Sequence, residues 1–99
     1  MSVNIRFSWD DRKEAENVRK HGVTFGLAIK VFADPFHITQ QDRIERNEYR
    51  WQSIGMIDGV KLLLVAHTWF DDAGIEFVRI ISARPATAHE RKQYENGDS

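Results

Sequence analysis

Val3 to Phe7 (VNIRF) alternates apolar and polar residues, as a short half-buried strand does. Ser8 and Asp10 then offer capping oxygens, and Asp10, Asp11 and Glu14 suit the positive end of a helix dipole. This first helix runs to about His21, with Gly22 as its stop. Thr24 caps a second helix carrying Phe25, Ala28, Ile29 and Phe32 at helical spacing, and Pro35 ends it. From Phe36 the period changes to two. Phe36 and Ile38 begin a short strand, and the polar run 40–49 reads as a loop or as ragged strand ends. Arg50 to Ile57 is a strand, Asp58-Gly59 a two-residue hairpin turn, and Val60 to Thr68 a strand apolar on both faces. A DDAG turn at 71–74 leads to a second strongly apolar strand, IEFVRIISA. Thr87 and Glu90 form a capping box that opens a last helix. The order β-α-α-β-β-β-β-α predicts an α+β domain, a mostly antiparallel four-stranded meander with helices packed on it.

The chain has 99 residues. One domain over 1–99 fits that length, with 96–99 as a frayed tail. At 41% hydrophobic and 29% charged residues, the composition is globular. No apolar run reaches the roughly 18 residues of a membrane span, and the N-terminus lacks the pattern of a secretory signal. Cys is absent, which removes disulfides, thiolate metal sites and Cys nucleophiles; the cytoplasm is the expected location. The net charge of −1 is uneven along the chain. Residues 1–31 carry six basic and four acidic groups, and 79–92 set Arg79, Arg84, Arg91 and Lys92 against Glu90 alone. If the two ends of the chain meet, one face is basic on a nearly neutral molecule.

Four scattered His residues, without HExxH or an acidic cluster, predict no metal site. Walker, GxGxxG and GxSxG motifs are also absent. Lys13, Asn17, Lys20 and His21 share one helix face by their spacing of three and four. That face is either a solvated surface or a basic binding strip. Arg79 and Arg84 stand in the most apolar strand, where each needs a partner: a carboxylate in a salt bridge, or phosphate oxygens. Strict alternation puts them on opposite faces. Trp9, Trp51 and Trp69 suit a core better than base stacking. Glu90, Arg91 and Tyr94 on the last helix read either way.

The strings FSWDDRKEAENVRKHGVTF, AIKVFADP, IGMIDG and RIISARPATAHERKQYE, in order from Phe7 to Glu95, resemble the BrnT toxin family of type II BrnT/BrnA toxin–antitoxin systems. Pro85 and the acidic WFDD run at 69–72 depart from the basic character expected at those places. The resemblance implies a RelE-like α+β fold and a metal-independent endoribonuclease, without a cofactor, that halts translation by cutting RNA. It implies a ribbon-helix-helix antitoxin, BrnA, that binds operator DNA on the toxin's behalf, in a complex of two toxins and two antitoxins. On that reading Arg79, Arg84 and His21 are the candidate catalytic residues. Lys13, Asn17, Lys20 and Arg91 are the candidate RNA- or phosphate-binding residues. The rival reading is a non-catalytic protein- or RNA-binding module with a basic docking face.

Overall fold

A computed structural model describes residues 4–97. Strand β1 (Asn4–Trp9) leads into helix α1 (Asp11–His21), which starts where Asp10 accepts the Arg12 and Lys13 amides and stops at Gly22, in the left-handed region at φ 70°. Thr24 caps the short helix α2 (Phe25–Ala28) through the Leu27 amide, and a 3-10 segment (Ile29–Ala33) follows. Five strands come next: β2 (Ile38–Glu45), β3 (Glu48–Ile57), β4 (Lys61–His67), β5 (Phe70–Asp72) and β6 (Ile75–Pro85). Helix α3 (Ala88–Asn96) begins at the complete Thr87/Glu90 capping box and ends at Gly97, so Asn96 and Gly97 are structured; the rest of the expected tail lies outside the described residues.

The class is α+β, with one strand more than the sequence order predicts. The polar run at 40–49 is a hairpin, turned at Arg46-Asn47 with φ of 53° and 62°, and β5 is turned onto β6 at Ala73-Gly74. Both turns place two successive residues at positive φ, as Asp58-Gly59 also does. The six-stranded sheet has the order β1-β6-β4-β3-β2, with β5 paired to the start of β6. Among the described residues, only β1 and β6 run parallel.

Two cores lie on opposite faces of the sheet. Phe25, Ala28 and Val31 bury one face with Leu63, Val65, Val78, Ile80 and Ala83; Ile5, Phe7 and Trp9 pack at its margin. On the other, Ile38, Ile54, Leu62 and Leu64 meet Met56, Ala86 and Tyr94 of α3. Tyr94 fixes α3 by donating its O–H to Asp34 Oδ2 at 2.6 Å; Asp34 also accepts the Met56 and Phe36 amides. Partial burial works to raise the Asp34 carboxyl, but the three donated bonds outweigh it and hold it below the ordinary range.

A bulge in β6 sets the parity of the site. Ile80 pairs with His67 and Ser82 with Ala66, which leaves Ile81 as the extra residue. The extra residue lets Val78, Ile80 and Ala83 share one core. It also moves Arg79 and Arg84 onto the same face, correcting the opposite placement that strict alternation gives.

His67 sits in the floor of the first core and is 1% exposed. Its Nδ1–H donates to the Thr68 carbonyl at 2.9 Å, and its Nε2 accepts the Ser53 hydroxyl proton at 2.8 Å; Thr39 in turn donates to Ser53. Burial pushes the imidazole down to about 4. The unfolded chain, with an ordinary value near 6.5, therefore binds more protons between the two values. This stability is complete above about pH 6.5 and is lost as pH falls toward 4. Denaturant melts at pH 7 and pH 5 should differ by about 2 kcal/mol, in a range where ordinary carboxylates stay ionised. Equal stability at the two values would show that His67 takes up its proton without unfolding.

Candidate nucleic-acid interface

Helix α3 covers one end of its sheet face and leaves the other open. Directly paired residues point to the same side, so register maps the open part. Gln52, Ala66 and Ser82 form one row, Ser8 and Arg79 another, and Arg6, Phe77 and Phe70 a third. Glu48 and Arg50 precede Gln52 at the strand period of two and share its face.

These rows create a charged centre. Arg79 Nη2 donates to Glu48 Oε1 at 2.8 Å, and Arg50 Nη2 lies 3.6 Å from the same oxygen. The Arg50 side chain is only 15% exposed, and its buried Nε has no hydrogen-bond partner. Arg79 and Glu48 are 46% and 40% exposed, so both reach solvent. The centre opens into a groove of about 390 Å³ lined by Ser8, Asn47, Glu48, Tyr49, Thr68, Trp69, Phe70, Phe77, Val78 and Arg79. A carboxylate beside a guanidinium in an open groove combines a proton acceptor with a phosphate ligand.

The expected site residues divide into separate places. Lys13, Lys20 and His21 line a second groove, of about 280 Å³, together with Ser82 at the edge of β6. His21 also borders a third groove with Lys61, Pro85 and Arg91. The basic strip on α1 thus continues to α3 through His21. Lys20 is paired with Glu16 at 3.2 Å, which moderates the strip's charge. Arg79 stands apart from this strip, about five strand residues or roughly 15 Å from Arg84.

Two of the candidate residues have structural partners of their own. Asn17 borders the same groove as Lys13, Lys20 and His21 but is 5% exposed. Its Nδ2 donates to the Val23 and Ala83 carbonyls at 2.8 Å each, and its Oδ1 accepts the Ala83 amide at 3.0 Å. β1 pairs with β6 only as far as Ile80. Beyond it the Asn17 amide replaces a neighbouring strand and satisfies the bare edge.

Arg84 is the second. Its guanidinium forks onto Glu90 at 2.8 and 2.9 Å and also donates to the Pro85 carbonyl. That bond to Glu90 raises the Arg84 pKa further and, from the other side, holds the Glu90 carboxyl low. With both terminal nitrogens engaged, Arg84 fastens α3 to β6, as the salt-bridge alternative expects. Arg84→Ala should therefore lower thermal stability by about 1–3 kcal/mol, with any loss of activity following the loss of fold. An unchanged melting temperature with abolished cleavage would restore Arg84 to the chemistry.

Glu48 was hidden inside the polar run 40–49, while Arg50 opened the expected strand without being singled out. The available signal was the alternation of Glu48, Arg50 and Gln52 in phase with Ile54 and Met56. Among the described residues, no three His, Asp or Glu side chains converge as a metal ion requires. No helix among them is long and apolar enough to cross a membrane.

Fold and site together define a small α+β domain with an arginine-lined open sheet face and a basic strip at its edge. Residues 9–90 match the family model described as ribonuclease toxin, BrnT, of type II toxin–antitoxin system. The chain belongs to that family, as the strings from Phe7 to Glu95 imply. The structure is similar to the crystal structure of the Brucella abortus ribonuclease toxin BrnT, with a TM-score of 0.57 and 23% sequence identity over 87% of this chain and 99% of that one. This likeness establishes the shared fold. No curated sequence matches the chain. A type II system pairs its toxin with an antitoxin, so family membership supplies both a ribonuclease class and a protein partner.

Proposed function

We propose that this protein is a metal-independent endoribonuclease that cuts RNA at the Glu48–Arg79 centre and thereby halts translation. The observation that carries the reading is the 2.8 Å contact between an accessible carboxylate and an accessible guanidinium, with Arg50 behind them. Glu48 accepts the proton of an RNA 2′-OH, whose oxygen attacks the adjacent phosphorus. Arg79 moves from its carboxylate to the phosphate oxygens as negative charge gathers there. The bond from phosphorus to the 5′-oxygen breaks, and that oxygen takes a proton from water in the open groove. Arg50 holds the carboxylate in place from its buried position.

The basic strip of Lys13, Lys20, His21 and Arg91 is proposed to carry the RNA backbone beyond the reacting phosphate. This makes His21 a binding residue instead of the base. The antitoxin is proposed to be a BrnA-like ribbon-helix-helix dimer that holds two toxins and contacts operator DNA itself.

Incubation of the purified protein in EDTA with an RNA strand and with DNA of the same sequence tests this reading. Cleavage of RNA alone is expected. Cleavage that appears only when a divalent cation is added overturns metal independence. A well-folded protein that leaves RNA intact, free or on ribosomes, supports the non-catalytic docking module.

A further inference from the structure

We propose that the exposed Phe70–Phe77 pair is a base-stacking subsite for the nucleotide whose phosphate rests on Arg79. The inference deepens the ribonuclease reading and rests on it. Phe70 belongs to neither apolar core and is 60% exposed on a three-residue strand exposed throughout. Its ring stacks on Phe77 with centroids 5.0 Å apart and planes 15° from parallel. One broad π face is thus held rigid by its neighbour, and both rings line the same groove as Glu48 and Arg79.

The spacing suits a nucleotide. Phe77 and Arg79 are two residues apart on one strand face, about 6–7 Å, so a base on the aromatic pair sets its own phosphate within reach of the guanidinium. Charge fixes the direction. Asp72 follows Phe70 on the same face of β5 and repels a phosphate there, while Arg79 attracts one at the other end. A planar, uncharged group next to a phosphate satisfies this arrangement, and a nucleobase is that group.

The test uses a short single-stranded RNA made uncleavable by 2′-O-methylation and carrying the fluorescent base 2-aminopurine, moved one position at a time. Wild type should quench the fluorophore strongly at one position. Phe70→Leu, which keeps an apolar side chain but no π face, should abolish that quenching and weaken binding about ten-fold or more. Phe70→Trp should keep both. Because no bond is cut, the outcome does not depend on catalysis. Binding and quenching unchanged in Phe70→Leu overturn the stacking subsite while leaving the ribonuclease reading intact. Failure of wild type and variants alike to bind the RNA overturns both. If Phe70→Leu instead loses only the antitoxin, the pair is a protein contact and the proposal fails.

Discussion

Glu48→Gln is expected to lower RNA cleavage by about 10²–10⁴-fold without a measurable loss of fold. The carboxamide keeps the shape of the side chain and can still accept a bond from Arg79. It loses the basicity needed to take a proton from the 2′-OH. The stability cost is small because the pair is about half exposed, and an ion pair of that kind contributes ~1 kcal/mol or less. Single-turnover cleavage and a thermal melt on the same sample separate the two effects. Cleavage close to wild type would remove Glu48 from the reaction and return the search for a base to His21 and the α1 strip.

The second large effect is on stability. Asn17→Ala should cost about 3–5 kcal/mol, since it removes three buried hydrogen bonds at once and leaves the Ala83 N–H and C=O without a partner at the edge of β6. A loss of that size is a large share of the stability of a domain this small. Asn17→Asp should also destabilise, because the carboxylate has no donor for the Val23 and Ala83 carbonyls. Urea unfolding of both variants is the check. A stable Asn17→Ala protein with weakened RNA binding would contradict this and place the side chain among the phosphate contacts.

Local signals in the sequence translate directly into structure. Asp10, Gly22, Thr24 and the Thr87/Glu90 box each act where their chemistry predicts, because a cap is satisfied within one helical turn. What the sequence conceals depends on contacts between distant residues. Asn17 and Ala83 are 66 positions apart, so helix spacing alone makes Asn17 look like one more polar surface residue. The Ile81 bulge leaves no mark in the alternation, yet it decides which side of the sheet Arg84 occupies. Arg46-Asn47 and Ala73-Gly74 turn the chain with side chains at positive φ that carry a weaker signal than Asp58-Gly59, so β5, the outer half of β2 and the first two residues of β3 merged into apparent loops. Losing the start of β3 also hid Glu48. Arg79 was legible as an arginine needing a partner; that its partner is Glu48 follows only from the sheet.

The ends left on cut RNA report the chemistry most directly. RNA digested in EDTA should carry 2′,3′-cyclic phosphate on one fragment and a 5′-hydroxyl on the other, as attack by the neighbouring 2′-OH requires. These ends should disappear in Glu48→Gln and in Arg79→Ala under single-turnover conditions. Fragments bearing 3′-hydroxyl and 5′-phosphate ends would instead show that water is the nucleophile, and the Glu48–Arg79 mechanism would be wrong.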